Sequence, residues 1–504
     1  MFNFSETGLA VINANLLYTD NKSIFFLDEQ SFTRNKRPNT SVIYTNLTNS
    51  YAIDFDYSEQ LIFWSDQSED VITSLRLSDK KTFTIGINNP QSPEKFAVDW
   101  VGKKLYWADT GLNRIEVSNY NGSQRSVLIS KDLESLWSIA LVPEDGYLFC
   151  FSQVIEWYFY KLLFPFLCSF LFWADCFPPG KIERSSMDGD PGSRTVILED
   201  RDSCFSGLTV DYAGKRLYWF TIPVKTDLNH VSRIESSDFF GSQRISHLCS
   251  SSRFPVPFRL FMTLIGDTVF WSDNSSKDIH SCNLKSGAVG HANLPKYRNS
   301  KKEEQHAPHG LKWFSAAAQP GNHSHCSHNN GNCSHLCLLS SIGPRFISCA
   351  CPSGMKLHPD NQTCAVHEKL LLIARSSDLR KIALDSPDTS TIVLRKTKHA
   401  TLIDYDPVEM MVYWADDHKE GRSIRKAPFN GKSNDTVVVV NREVVCLEAI
   451  VIDPVARNIY WTECEMARVV VARLDGSSRK VLVEEDLEKP RALAVHQEAG
   501  YMFW

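Results

Sequence analysis

The residues with the most chemical potential in this sequence are six cysteines between positions 326 and 364: Cys326, Cys333, Cys337, Cys349, Cys351 and Cys364. Sulfur so closely spaced serves either a metal or a set of disulfides. His323, His325, His328 and His335 lie among these cysteines and raise the question of zinc. No Cys-x-x-Cys pair has zinc-finger spacing, and thiols consumed in disulfides are not ligands, so the histidines read as solvated loop residues. Six cysteines in a short segment instead mark an oxidising compartment, and spacing alone leaves all fifteen pairings open. Ten Asn-x-Ser/Thr sequons accompany them, with Asn39, Asn46, Asn121, Asn322 and Asn434 among the glycosylation candidates. No Gly-x-Ser-x-Gly elbow, His-Glu-x-x-His motif or metal cluster supplies catalytic machinery, so an enzyme is not expected and no cofactor is implied. A net charge of −5 and a pI near 6.3 leave no basic footprint for nucleic acid.

What must position these groups is an internal repeat. An aromatic signature recurs as LIFWSD at 61–66, LYWAD at 105–109, LFWAD at 171–175, LYWF at 217–220 and VFWSD at 269–273. It returns as VYWAD at 412–416, IYWTE at 459–463 and YMFW at 501–504. Each copy follows an alternating apolar run that ends in Asp and a tight turn, and precedes two further short strands. Period-two alternation broken every 8–12 residues predicts antiparallel strands. Four strands per repeat of roughly 40–45 residues is the blade of a β-propeller. The expected fold is therefore all-β: a six-bladed propeller over 12–315, a cysteine module over 322–367 and the first half of a second propeller over 368–504. The sixth blade of the first propeller is expected to take its inner strand from HGLKWF at 309–314 and its outer strands from 16–28. Sharing one blade between the chain ends removes exposed sheet edges. The N-terminus has no signal-peptide pattern and the chain stops inside a strand-like segment, so we expect a fragment.

The cysteine spacing resembles an EGF-like module, whose family pairing implies Cys326–Cys337, Cys333–Cys349 and Cys351–Cys364. The calcium-binding subtype has acidic residues before its first cysteine; here the run reads AQPGNHSH, which argues against calcium. Tyr-Trp-Thr-Asp-type blades followed by such a module resemble the low-density-lipoprotein-receptor superfamily. Within it, LLLIARSSDLRKIALDSPDTSTIVL at 370–394, IDYDPVE at 403–409, DPVARNIYWTE at 453–463, NNGNCSHLCLLS at 329–340 and CACPSGMKL at 349–357 are similar to the arrow-type Wnt co-receptors. That resemblance implies a single-pass receptor at the cell surface. It implies propeller top faces that bind Wnt proteins and secreted antagonists, with a Frizzled-type receptor in the complex and a membrane span beyond this sequence. It also implies that the signature residues Asp66, Asp109, Asp175, Asp273 and Asp416 hydrogen-bond backbone between blades rather than act catalytically. The superfamily's endocytic cargo receptors are the competing reading.

The family's ligand rim maps onto Lys22, Asp70 and Asn113, and onto Ser206, where relatives carry an Asn within a Trp-Pro-Asn-Gly run. Here that run reads Cys204-Phe205-Ser206-Gly207, and Cys176 stands where relatives have a Trp. Two cysteines replacing rim residues on one face predict a Cys176–Cys204 disulfide. Trp107 to Trp173 spans 66 residues where the period is 43, and removing 150–172 restores the period, so that segment is read as foreign to the fold.

Overall fold

The computed structural model describes residues 15–504 except 29–31, 33–38, 86–92, 144–168, 178, 225–231, 248, 250–259, 293, 295–296, 300–301, 305, 322–323, 342–344, 367–368, 385–389, 396, 419–420 and 430–435. Two compact units emerge, one of 1–352 with 357–365 and one of 353–356 with 366–504. Among the described residues no helix is long and apolar enough to cross a membrane.

In the first unit, six four-stranded antiparallel sheets form a ring. Blade 1 comprises Ser50–Asp56, Leu61–Asp66, Val71–Arg76 and Thr82–Ile85; blade 2 comprises Lys95–Asp99, Lys104–Asp109, Arg114–Asn119 and Ser126–Ile129. Blade 3 holds Leu136–Val142, Phe170–Asp175, Gly180–Ser186 and Thr195–Asp200; blade 4 holds Ser203–Asp211, Arg216–Pro223, Arg233–Asp238 and Ile245–Ser246. Blade 5 is built from Met262–Ile265, Thr268–Asp273, Asp278–Asn283 and Val289–His291. Blade 6 joins Leu311–Phe314 to Asn15–Thr19, Ser23–Leu27 and Thr40–Thr45, so both ends of the domain share one sheet. Each inner strand touches the inner strand of the next blade, and that of blade 6 returns to blade 1.

Alternation along the second strands explains the packing. Trp64, Trp107, Trp173, Trp219 and Trp271 are all buried and face the preceding blade. The aromatic residue just before each (Phe63, Tyr106, Phe172, Tyr218 and Phe270) points to the opposite face and packs on the following blade. Inner strands are also tied by polar side chains: the Asp54 carboxylate accepts from Val98 N at 3.0 Å, and the Ser138 hydroxyl from Leu208 N at 2.9 Å. The turn between first and second strands ends on a left-handed residue in blade after blade: Gln60, Lys103, Lys215, Met410 and Arg457, with φ of 53–57°. That conformation costs a non-glycine residue on the order of 1 kcal/mol, which the four-residue turn imposes.

The segment read as foreign is only partly described. Residues 150–168 lie outside the described residues, but Phe170, Leu171 and Phe172 pair with Val142, Leu141 and Ala140 inside blade 3. Leu-Phe occurs at both 148–149 and 171–172, so a 23-residue excess starting at 148 or at 150 leaves the same remaining sequence.

The second unit contains a three-stranded sheet (Leu370–Arg375, Asp378–Ala383, Ser390–Arg395) and two four-stranded blades. These are Ala400–Asp406, Met411–His418, Gly421–Pro428, Val437–Val440, and Leu447–Asp453, Asn458–Glu463, Arg468–Arg473, Lys480–Val483. A hairpin of Ala494–His496 and Tyr501–Phe503 follows. Trp414 and Trp461 are buried here as their counterparts are in the first unit.

Candidate functional site

One face of the ring collects the starts of the inner strands and the turns between second and third strands. Signature aspartates build it. Asp66 accepts from Asn49 N at 3.2 Å, Ser68 N at 2.9 Å, Glu69 N at 3.3 Å and the Thr48 hydroxyl, so it locks its own turn to the loop arriving from blade 6. Asp175 does the same with Glu134 N at 2.8 Å, Ser135 N at 2.9 Å and Phe177 N at 3.1 Å. Burial pushes the Asp66 carboxyl up, but these hydrogen bonds outweigh it and hold the group below its ordinary value. The roles are structural.

Lys22, Asp70 and Asn113 all lie on this face. Lys22 is exposed in the turn of blade 6, and its carbonyl accepts from Leu47 N at 3.0 Å. Asp70 and Asn113 close the turns of blades 1 and 2 with φ of 51° and 47°. Lys277 and Ala467 hold the same turn position at 57° and 45°. Asp and Asn tolerate the left-handed region better than most residues, so turn geometry alone accounts for their presence. Ser206 is a correction. It is fully buried, pairs with Phe220 within blade 4 and leaves its hydroxyl without a hydrogen-bond partner. The inner strand of blade 4 starts at Ser203, which carries Ser206 below the rim.

Cys176 and Cys204 are disulfide-bonded, with Cα atoms 4.7 Å apart, and join the turn of blade 3 to the inner strand of blade 4. The cysteine module has the bonds Cys326–Cys337, Cys333–Cys349 and Cys351–Cys364. Two further bridges, Cys249–Cys282 and Cys446–Cys464, were not anticipated. The second of these had a signal in the repeat. In four blades the residue after the signature donates its N–H to a carbonyl just before the inner strand: Gln67 to Asn49, Cys176 to Ser135, Asp417 to His399 and Cys464 to Cys446. Cysteines at both positions of that pair are already in bridging register. Glu448 beside this pair makes no metal site, because both sulfurs are bonded to each other.

At the centre of the face the channel is stoppered. The Lys95 ammonium sits 3.3 Å from the Phe261 ring centroid and 4.9 Å from that of Tyr51. His309 packs 5.6 Å from Tyr51, and its Nε2 meets Asn21 Oδ1 at 2.6 Å. Burial, with Lys95 adding to it, pushes the His309 imidazole down to about 4, so it is neutral at physiological pH. Four blades thus contribute large side chains here, from the start of their inner strands (Tyr51, Lys95) or just before it (Phe261, His309). Beside this plug, between blades 2 and 3, a cavity of about 130 Å³ is lined by Glu94, Lys95, Thr110, Asn113, Glu134 and Trp137, among others. Water-sized units near 30 Å³ make it large enough for one side chain. On the same face Glu69, Asp132 and Glu134 are exposed, and Phe177, in the turn of blade 3, is 57% exposed. The face thus offers exposed carboxylates, a side-chain-sized hole and an exposed aromatic ring.

The model of the low-density lipoprotein receptor repeat class B matches residues 103–141 and 457–497, and that of the coagulation factor Xa inhibitory site matches 326–364. Low-density lipoprotein receptor-related protein 5 of Mus musculus is 37% identical over 425 residues, and so is that of Homo sapiens; each match covers 83% of this chain. The chain spans only 23% of the length of either relative. Among solved structures, a chain from the nidogen/laminin complex matches with a TM-score of 0.45 and 21% identity, covering 60% of this chain and 99% of that one. With its class B repeats, its propeller blades and this extent of identity, the chain belongs to the low-density lipoprotein receptor-related proteins.

Proposed function

We propose that this chain is the extracellular ligand-binding region of a Wnt co-receptor, and that the face described above receives secreted Wnt proteins or their antagonists. The observation that carries the reading is the 37% identity to receptor-related protein 5, which runs through propeller, cysteine module and second unit. The exposed carboxylates of blades 1–3 suit a basic partner loop, and charge of this kind governs approach and selectivity. The buried Ser206 offers no amide to an incoming Asn, so partners that rely on an Asn-containing loop at blade 4 are disfavoured. Recognition then rests on Asp70, Asn113, Glu134 and the Trp137 cavity, while Lys22, across the face in blade 6, stays outside it. A Frizzled-type receptor completes the complex through surfaces of the bound Wnt. The test is capture of a panel of Wnt proteins and antagonists by the secreted chain. At least one is expected to bind and to weaken when Asp70 is replaced by Lys. A panel with no binder, or binding indifferent to Asp70, Glu134 and Trp137 substitutions, overturns the reading.

A further inference from the structure

Three of the ten sequon asparagines fall on the ligand-facing side of the ring: Asn21, Asn46 and Asn274. Asn121, by contrast, lies in a turn between third and fourth strands, on the opposite face. Asn21 is engaged, its Oδ1 held by His309 at 2.6 Å. Asn46 and Asn274 are exposed. Asn46, with φ of 72°, starts the connection from blade 6 to blade 1, and Asn274 begins the turn after the blade 5 signature. They bracket blade 6 from both sides.

We propose that Asn46 and Asn274 carry N-linked glycans and that these cover the blade 6 sector of the face, confining partner contact to the arc of blades 1–4. In the modification, Nδ2 of each asparagine attacks C1 of a lipid-diphosphate-linked oligosaccharide. The Nδ2–C1 bond forms and the C1–O bond breaks. Its electron pair leaves on the lipid diphosphate, and the amide proton passes to a base of the transferase. The hydroxyl each sequon needs is reused once the chain folds. Thr48 donates to Asp66, and Ser276 shares a 2.8 Å hydrogen bond with His280 Nε2. Removing the hydroxyl would therefore disturb the turns, so the asparagines themselves are the residues to change. The consequence is a specificity filter. Lys22, in the bracketed turn of blade 6, is screened by sugar, while Asp70, Asn113, Trp137 and Phe177 stay open.

The inference rests on the extracellular reading above, but its test needs no partner. The full chain, secreted from animal cells, is mapped for glycopeptides beside Asn46→Gln, Asn274→Gln and the double variant. Each single variant is expected to lose one glycan without loss of secretion. Amine acylation of the folded protein then reads the screening. In the double variant, Lys22 and Lys277 should react several-fold faster, while Lys80, exposed in a turn on the opposite face, should react at an unchanged rate. An unmodified Asn46 or Asn274 in the secreted chain overturns the proposal. So do equal rates at Lys22 and Lys277 with and without the glycans. A Wnt panel that fails against a chain passing both tests sinks the partner reading alone.

Discussion

Asp70 and Asp66 stand four residues apart in one turn, and their environments assign them opposite work. Asp70 has a left-handed backbone that Lys277 adopts in blade 5 at φ 57°, so a lysine fits there. Asp70→Lys is therefore expected to change stability by no more than about 0.5 kcal/mol, while weakening a basic partner several-fold at low salt and less at high salt. Parallel thermal melts and binding at two ionic strengths check both halves. Asp66 is the reverse case. Its carboxylate satisfies three backbone donors and a hydroxyl, and replacement by Ala should cost roughly 2–4 kcal/mol. Its folded value lies below 3.8, so its contribution is present above that pH and is lost as pH falls through the depressed value. Asp66→Asn should accordingly lose stability at neutral pH and show a flatter decline below about pH 4. Asp99 runs the other way. Burial raises it to about 6, and Oδ2 has no hydrogen-bond partner, so protonation is easier in the folded than in the unfolded state. The wild type should gain on Asp99→Asn as pH falls from 6 towards 4; urea midpoints across that range measure it.

Element by element, the blades could be read from the sequence because Trp recurs in a fixed register, and a strand's two faces make register visible. The Arg–Glu pairs beneath those tryptophans were not read, although a pattern existed. Arg125, Arg194 and Arg479 stack over Trp107, Trp173 and Trp461 at 5.2–5.4 Å, and each pairs with a buried glutamate. Each arginine follows a Gly-Ser turn (NGSQR, PGSR, DGSSR), and that shared spacing is the signal. Blade 3 gives a test at this scale. First and second strands are joined by four residues between Asp56 and Leu61, Asp99 and Lys104, and Asp211 and Arg216. Deleting 148–170 leaves four, Pro143 to Gly146, between Val142 and Tyr147. Tyr147 would then take the place of Phe170, whose ring meets Phe172, Phe239 and Phe240 and lies under Arg184. Aromatic replaces aromatic, so the shortened chain is expected to be secreted at least as well and to melt no lower. Retention in the cell or a fall of several degrees would show that the segment belongs to the blade. Sequencing the mature transcript tests the same point independently.

Across the whole first unit, the order of blades and the cysteine module were legible because repeats and cysteine spacing are local in sequence. How the module attaches was not, because it depends on residues that no local pattern links. Leu336, Leu338 and Leu339 share one buried cluster with Trp100, Val101 and Met187 of blades 2 and 3. The Trp100 indole donates to Pro320 O at 3.0 Å, and Ser341 N to the Ser186 hydroxyl at 2.8 Å. The same cluster contains Cys326, Cys333 and Cys337, so the disulfides help to set the surface on which the propeller rests. A module this small depends on its bridges, each worth roughly 2–4 kcal/mol. Loosening it should therefore be felt inside two blades and not in the rest. In the full chain carrying Cys333→Ser and Cys349→Ser, hydrogen exchange is expected to speed up at Val101, Leu105 and Met187. Met262 and Val269 of blade 5, which belong to a different cluster, should keep their protection. Faster exchange in all blades together would mean that the module governs the ring as a whole, and unchanged exchange in blades 2 and 3 would mean that the contact carries no stability.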